Sequence, residues 1–232
     1  MTRLLSTLKL DVALQWRNGF YYASLFVAIT MIIVMRNMFS PEMLKVVIPY
    51  FLFIAMSIAF YFIAGLVLLE KSEGTLESMV VSPLRTSEYL YSKIIALTAM
   101  MLIENLFIII CSYGIDFCWI TLLTGALLIS VQYALLGLIL IARFDSITDF
   151  IMPALISTTI IQLPFFNFIE KIPEWIFIPW PTYGPLLLFQ GAFQSITTYQ
   201  YIYAVLYPLI SIIALFHIAR QSFERFIIRK EQ

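Results

Sequence analysis

Residues 46–85 read VVIPYFLFIAMSIAFYFIAGLVLLEKSEGTLESMVVSPLR. The first 24 residues carry no charge, and the 16 that follow form the most polar stretch of the chain. About 20 apolar residues in a helix cross about 30 Å of hydrocarbon, so the run 46–69 is long enough to span a membrane. It must be helical, because a lone strand in lipid leaves its backbone groups unpaired. The fold then depends on how many such runs the chain has and on what separates them.

Composition points the same way. The 232 residues are 62% hydrophobic and 12% charged, against about 45–50% apolar and about 25% charged in soluble domains. A chain of this size cannot hide that much apolar surface in its own core, so lipid is part of its solvent. Six candidate spans follow, roughly 20–35, 46–69, 94–113, 117–142, 147–169 and 201–219. The expected fold is an all-α polytopic membrane protein, one transmembrane domain over residues 1–232. Pro49, Pro153, Pro164 and Pro208 lie in or near these spans and are expected to kink or unwind them. A formal net charge of zero gives no general basic field for nucleic acid. Cys111 and Cys118 are neither a disulfide framework nor a metal pattern, and read as filler thiols around a short turn. The first 19 residues mix Arg3, Lys9, Asp11 and Arg17 into the apolar pattern, so no cleavable signal peptide is expected.

Basic residues set the orientation. With the N-terminus inside, eleven of the 14 Lys and Arg residues fall on inner segments and only Arg36, Lys45 and Lys171 on outer ones. Both termini and the polar stretch are therefore expected in the cytoplasm. Residues 1–19 read as a helix lying on the membrane: Leu5, Leu8, Val12 and Trp16 recur at helical spacing, with Lys9, Asp11, Gln15 and Arg17 interrupting them. The alternative is a plain flank of the first span. The outer segment 170–193, EKIPEWIFIPWPTYGPLLLFQGAF, is as apolar as a span but holds Pro173, Pro179, Pro181 and Pro185. One continuous helix is forbidden there. Trp175, Trp180 and Tyr183 suit an interface, and short helices dipping into the outer leaflet are expected, packed on protein.

The polar loop, residues 70–92, carries helix signals of its own. Gly74 permits a bend, and Thr75 can cap a following helix. Leu76, Met79 and Val80 fall on one face at i, i+3, i+4, with Glu73 and Glu77 elsewhere. Ser82-Pro83 stops that helix, and Thr86 or Ser87 can cap the next, with Glu88 in its first turn. A short amphipathic helix is expected between spans two and three. Its apolar face either docks in a groove of a cytoplasmic partner or folds back on the bundle.

The string E-x-x-x-G-T-L-E-x-x-x-x-S-P, Glu70 through Pro83, resembles the cytoplasmic loop of ABC-2 type permeases, the membrane subunits of ABC exporters. KLDVALQWRNGFYYAS, residues 9–24, is similar to the approach to the first span in small drug-export permeases named for fluoroquinolones. Six spans, an interfacial N-terminal helix and a proline-broken outer segment fit the same family, so the resemblance covers nearly the whole chain. In that family the helix after span two is a coupling helix that docks in a cleft of the ATPase subunit. The resemblance places that role on Glu70, Glu73, Gly74, Thr75, Glu77, Ser82 and Pro83, with Leu76, Met79 and Val80 as the apolar face. No G-x-x-x-x-G-K-[ST] occurs in the chain. The resemblance therefore implies no cofactor here, ATP and Mg²⁺ held by a separate ABC ATPase subunit, and a second permease chain, identical or related.

Polar residues inside spans are expensive in lipid and are candidates for function. Glu104 and Asn105 lie near the middle of span three. Glu104 either lines a path for a cationic or zwitterionic substrate or makes a structural bond, with Gln132 or Gln162 as the expected partner. Gln132 and Gln162 themselves read as links between helices. Arg143, Asp145 and Asp149 form an inner turn, solvated or a minor ATPase contact. His217 is the lone histidine, read as interfacial, and Arg220, Arg225, Arg229 and Lys230 after it suit anionic headgroups. The reading that results is the permease subunit of an exporter for a drug-like, lipid or peptide substrate, without bond-making chemistry of its own. Its rivals are an ion-coupled secondary transporter, which would show inverted repeats, an intramembrane enzyme, which one histidine cannot equip, and a non-transporting sensor or immunity permease of the same family.

Overall fold

The computed structural model describes residues 3–76, 85–168 and 172–226. Among these the regular structure is entirely helical. The α-helices are α1 (Arg3–Arg17), α2 (Phe20–Met38), α3 (Pro41–Met56), α4 (Ile58–Ser72), α5 (Thr86–Ser112), α6 (Trp119–Ile141), α7 (Ile147–Ile161), α8 (Tyr183–Gly191) and α9 (Thr198–Phe226). Two 3₁₀ segments, Leu163–Phe168 and Glu174–Ile176, lie between α7 and α8. Six stretches are long and apolar enough to cross a membrane: Phe20–Met38, Pro41–Ser72, Thr86–Ser112, Trp119–Ile141, Ile147–Phe168 and Thr198–Phe226. The chain is a multi-pass membrane protein, as its apolar runs require.

The spans divide into an inner and an outer set. Pro41–Ser72, Thr86–Ser112 and Trp119–Ile141 are more than half buried, whereas Phe20–Met38, Ile147–Phe168 and Thr198–Phe226 are about one-fifth buried. Leu, Ile and Phe residues crowd the exposed faces of the outer set, among them Phe26, Ile156 and Ile213. In lipid such faces carry no penalty. The centre is α6, where Gly125, Ala126, Ser130, Ala134 and Gly137 are buried. Small residues let helix backbones approach closely. A Cβ on Gly137 would sit 2.6 Å from the Phe60 carbonyl oxygen of α4, and one on Gly125 would sit 3.2 Å from the Pro185 carbonyl oxygen of α8.

The prolines behave unequally. The helices run through Pro49, Pro153 and Pro208. Only at Pro164 does the backbone change form, from α to 3₁₀. The second span breaks instead at Ser57, whose N–H turns back to the Ile54 carbonyl at 3.0 Å with its hydroxyl donating to the same oxygen at 2.7 Å. That bond offers the backbone an alternative to the helical ladder.

The proline-rich stretch before α8 runs over protein. Prolines there remove N–H donors, so nearby carbonyls lose helical partners. Side chains of the spans supply them: Tyr203 donates to the Ile178 carbonyl at 2.6 Å, Tyr207 to Pro179 at 2.7 Å and Gln132 to Pro181 at 3.2 Å. In return Trp180 Nε1 and Thr182 Oγ1 donate to the Ile160 and Ile161 carbonyls, each at 2.8 Å. Helix α8 is then buried from Tyr183 to Phe189. The Cys118 N–H donates to the Ala192 carbonyl at 2.9 Å. This places the segment at the α5–α6 end of the bundle, opposite the polar loop.

Candidate functional site

The loop that the sequence marks for coupling leaves α4 through a tightly anchored base. Glu73 closes the helix, its N–H donating to the Leu69 carbonyl at 2.9 Å. Gly74 follows at φ +68°, the left-handed conformation that glycine takes without cost. No side chain crowds it, so the requirement is conformational. The Thr75 hydroxyl donates back to the Glu70 carbonyl at 3.1 Å, which seals the end of α4. On the far side, α5 starts at Thr86, and Glu88 accepts from the Arg85 N–H at 3.0 Å. The N-cap position is thus Arg85, ahead of the expected Thr86 or Ser87. Glu77, Met79, Val80, Ser82 and Pro83 lie outside the described residues.

Glu70 is turned inward and is 8% exposed. Its carboxylate takes the Lys93 ammonium at 2.6 Å and the Tyr89 hydroxyl. Lys93 has no exposed surface and also donates to Asp11 of α1 at 2.9 Å. Ser92 completes the group with a short bond to Asp11, and the ammonium lies 4.7 Å from the centre of the Tyr89 ring. A buried lysine between two carboxylates therefore ties α1, the end of α4 and the start of α5 together. Such a group is costly to desolvate and costlier to break, because removing one member leaves buried charge unpaired.

The residues around Glu70 reach other elements. Lys71 donates to the Phe144 carbonyl at 2.6 Å and pairs with Asp145 at 3.4 Å, both in the turn between α6 and α7. Glu73 pairs with Arg17 of α1 at 3.0 Å on the surface. Leu76, expected on a face for docking, is 2% exposed and belongs to the chain's own core. Its side chain is therefore already buried within the molecule. At the turn between α6 and α7 and the start of α7, Asp149 accepts from the Ser146 hydroxyl at 2.8 Å, and Arg143 lies 5.7 Å from the Phe226 ring centre. His217 is exposed.

Helix α1 carries its polarity in an unexpected direction. Asp11 and Gln15 are buried, while Leu5, Val12 and Trp16 are 41%, 41% and 61% exposed. Asp11 and Gln15 are thus turned inward, with Asp11 bonded to α5, while Leu5, Val12 and Trp16 face outward together with the exposed Lys9 and Arg17. Burying the acid and exposing large apolar side chains reverses the order on a soluble protein.

The polar residues of the spans do not converge. Glu104 is 5% exposed and accepts from the Ser24 hydroxyl of α2 at 2.6 Å. Its expected bond to Gln132 or Gln162 is absent: Gln132 donates to Pro181 and, at 2.7 Å, to Ser211 of α9, where the proline-rich stretch requires a donor. Gln162 sits at the C-terminal end of α7, half-buried. Asn105 donates to the Met101 carbonyl at 3.0 Å within its own helix. Glu104 lines a cleft of about 300 Å³ between α2 and α5, with Tyr21, Ser24, Leu25, Ile103 and Phe107 around it. Lys93, Tyr89, Ser92 and Ser24 escape a reading from sequence, as does the pairing of Asp11. The one available signal is Lys93 itself, a charge at the head of an apolar run, which needs a carboxylate close by.

Six spans with an anchored polar loop between the second and third define a polytopic membrane protein. Residues 2–231 match the fluoroquinolones export permease protein family, and the chain belongs to it. It is 32% identical over 235 residues to the fluoroquinolones export permease proteins of two Mycobacterium tuberculosis strains, CDC 1551 / Oshkosh and ATCC 25618 / H37Rv. The alignment covers 99% of this chain and 98% of each relative.

Proposed function

We propose that this chain is the permease subunit of an ATP-driven exporter in a bacterial cytoplasmic membrane. A separate ABC ATPase subunit energises it, and a second permease chain, identical or related, completes the path. The observation that carries the reading is the anchoring of residues 70–76. Glu70 is bonded to Lys93, Lys71 to Phe144 and Asp145, and Glu73 to Arg17. A push on the loop therefore reaches α1, α5 and the α6–α7 turn together. Glu70 acts in this scheme as an internal strut, while Glu77, Met79 and Val80 are the residues assigned to contact the ATPase. Nucleotide closes the ATPase pair, the loops follow, and the spans shift toward an outward-open state. ATP can drive that shift only through its different affinity for the two states. Of the drug-like, lipid and peptide substrates this architecture admits, the activity for which the M. tuberculosis relatives are named favours the first.

The test is a mild-detergent pull-down of the tagged chain from its native membrane, with stoichiometric partners identified. An ABC ATPase in equal amount is expected, and Glu77→Arg is expected to lose it while the permease still elutes as folded protein. A partner-free permease, or a mutant that keeps its ATPase and exports normally, defeats the assignment.

The same reading puts the termini and the loop in the cytoplasm and Cys118 outside. Cys118 is exposed. The Thr121 hydroxyl, 3.1 Å from its sulfur, holds the thiol below its ordinary pKa, so it reacts at lower pH than a free thiol. A membrane-impermeant maleimide should label intact cells, and Cys118→Ser should abolish that labelling. Labelling that appears only after permeabilisation would invert the orientation. The outward apolar residues of α1, Leu5, Val12 and Trp16, support a place for that helix at the inner headgroup level.

A further inference from the structure

We infer that the cleft between α2 and α5 is a lateral binding site for membrane-dissolved aromatic amines, with Glu104 as the group that recognises the ammonium. The inference rests on the permease reading and adds a substrate class and a place to it. Three observations meet there. One oxygen of Glu104 accepts from Ser24, while the other is buried with no partner among the described residues. The walls are apolar, and the cleft of about 300 Å³ is at the small end of the range for drug-sized ligands, about 300–1,000 Å³. Its rim faces outward: Leu25, Ile103 and Phe107 are 47%, 67% and 40% exposed. Helix α2 is among the least buried spans, so the cleft opens sideways toward lipid.

A lone carboxyl at such a place is unfavourable unless something supplies it a donor. No basic residue lines the cleft. An ammonium arriving through the bilayer would complete the free oxygen in a medium of low dielectric, where the attraction is strong. Tyr21 and Phe107 line the cleft, and aromatic rings attract cations and stack with aromatic bodies. Ser24 lies about one turn into α2 and bonds Glu104 well inside the span of α5, so the cleft opens toward the apolar interior of the bilayer. A drug dissolved in that interior meets the site without crossing water.

The experiment uses the full-length permease without any ATPase, in nanodiscs of phosphatidylglycerol, which carries no amine. The probes are a fluorescent aromatic bearing one tertiary amine and its uncharged N-acyl analogue, and the readout is equilibrium binding. The wild type is expected to favour the amine by about tenfold or more. Glu104→Gln, which keeps the shape and a hydrogen bond to Ser24, should bind both probes alike. Ile103→Trp, on the exposed rim, should weaken both probes and leave the fold intact. Equal binding of the two probes by the wild type, or unchanged preference in Glu104→Gln, overturns the inference. If Glu104→Gln does not fold, normal binding by Ile103→Trp overturns it. Loss of the preference when phosphatidylethanolamine is added would assign the cleft to a lipid headgroup and also overturn it. A dimer that seals the cleft, seen as binding only to monomeric nanodiscs, has the same consequence. Because no ATPase is present, a positive result stands even if the pull-down finds no ATPase partner.

Discussion

Lys93→Ala is expected to remove a large share of the fold's stability and to lower its melting temperature sharply. The ammonium is wholly buried and lies 2.9 Å from Asp11 and 2.6 Å from Glu70. Without it, two carboxylates face each other with only the Tyr89 and Ser92 hydroxyls between them and the protein. Breaking a buried pair by removing one partner costs about 3–5 kcal/mol, against a total stability of about 5–15 kcal/mol for a typical fold. Fluorescence-detected size-exclusion after a heating series would measure the loss. The triple variant Lys93→Met, Asp11→Asn, Glu70→Gln removes all the charge at once and should recover most of the stability. A normal melting profile for Lys93→Ala would show that the three groups are not coupled. If the triple variant folds, holds the proposed ATPase subunit and yet exports poorly, the group transmits motion as well as holding the helices.

This group explains why the spans were legible and the base of the loop was not. A span is a local property, and 24 uncharged residues at 46–69 announce it. The proline-broken stretch is local too, since each proline forbids a helix at its own position. Pairing is different. Asp11, Glu70 and Lys93 come from separate runs, and nothing in the neighbourhood of any one names the other two. Asp11 reads as part of a wet face because in a soluble helix it would be. At a lipid boundary the apolar side turns outward and the polar side meets protein, so the same pattern acquires the opposite sense. Ser24 shows a second limit. A serine in an apolar run looks like small packing filler until a carboxylate is placed 2.6 Å away. Ser57 shows a third: its neighbours are all apolar, and the break comes from a hydroxyl competing with the ladder, an option serine has at many positions without taking it. Leu76 shows a fourth: it is buried in the chain's own core, one of the two places its spacing allows, because spacing gives a face and not its partner.

Gly137→Ala should be the most damaging single methyl in the chain's interior, and Gly65→Ala should be harmless. Both glycines lie in the inner spans, in α6 and α4. A Cβ on Gly137 would stand 2.6 Å from both the Phe60 carbonyl oxygen and Ile63 Cγ2, and 3.2 Å from Phe60 Cα. Two of those atoms are backbone, so the helices must separate to admit it. They cannot separate freely, because α6 also meets Pro185 and Leu188 of α8 through Gly125. Overpacking of this kind costs about 1–3 kcal/mol, and in lipid the close contact is itself the main attraction between helices. A Cβ on Gly65 would meet only the edge of the Phe20 ring, at 3.5 Å and 3.6 Å. That is ordinary contact, and alanine there gains about 1 kcal/mol of helix propensity over glycine. The melting temperature in detergent should therefore fall for Gly137→Ala and hold or rise for Gly65→Ala. Equal behaviour of the two variants would mean that α4 and α6 do not cross at Gly137. The same pair tests transport: if α4 and α6 must slide past each other when the loop is pushed, a Gly137→Ala variant rescued by low temperature should bind the proposed ATPase subunit but export slowly, whereas Gly65→Ala should export like the wild type.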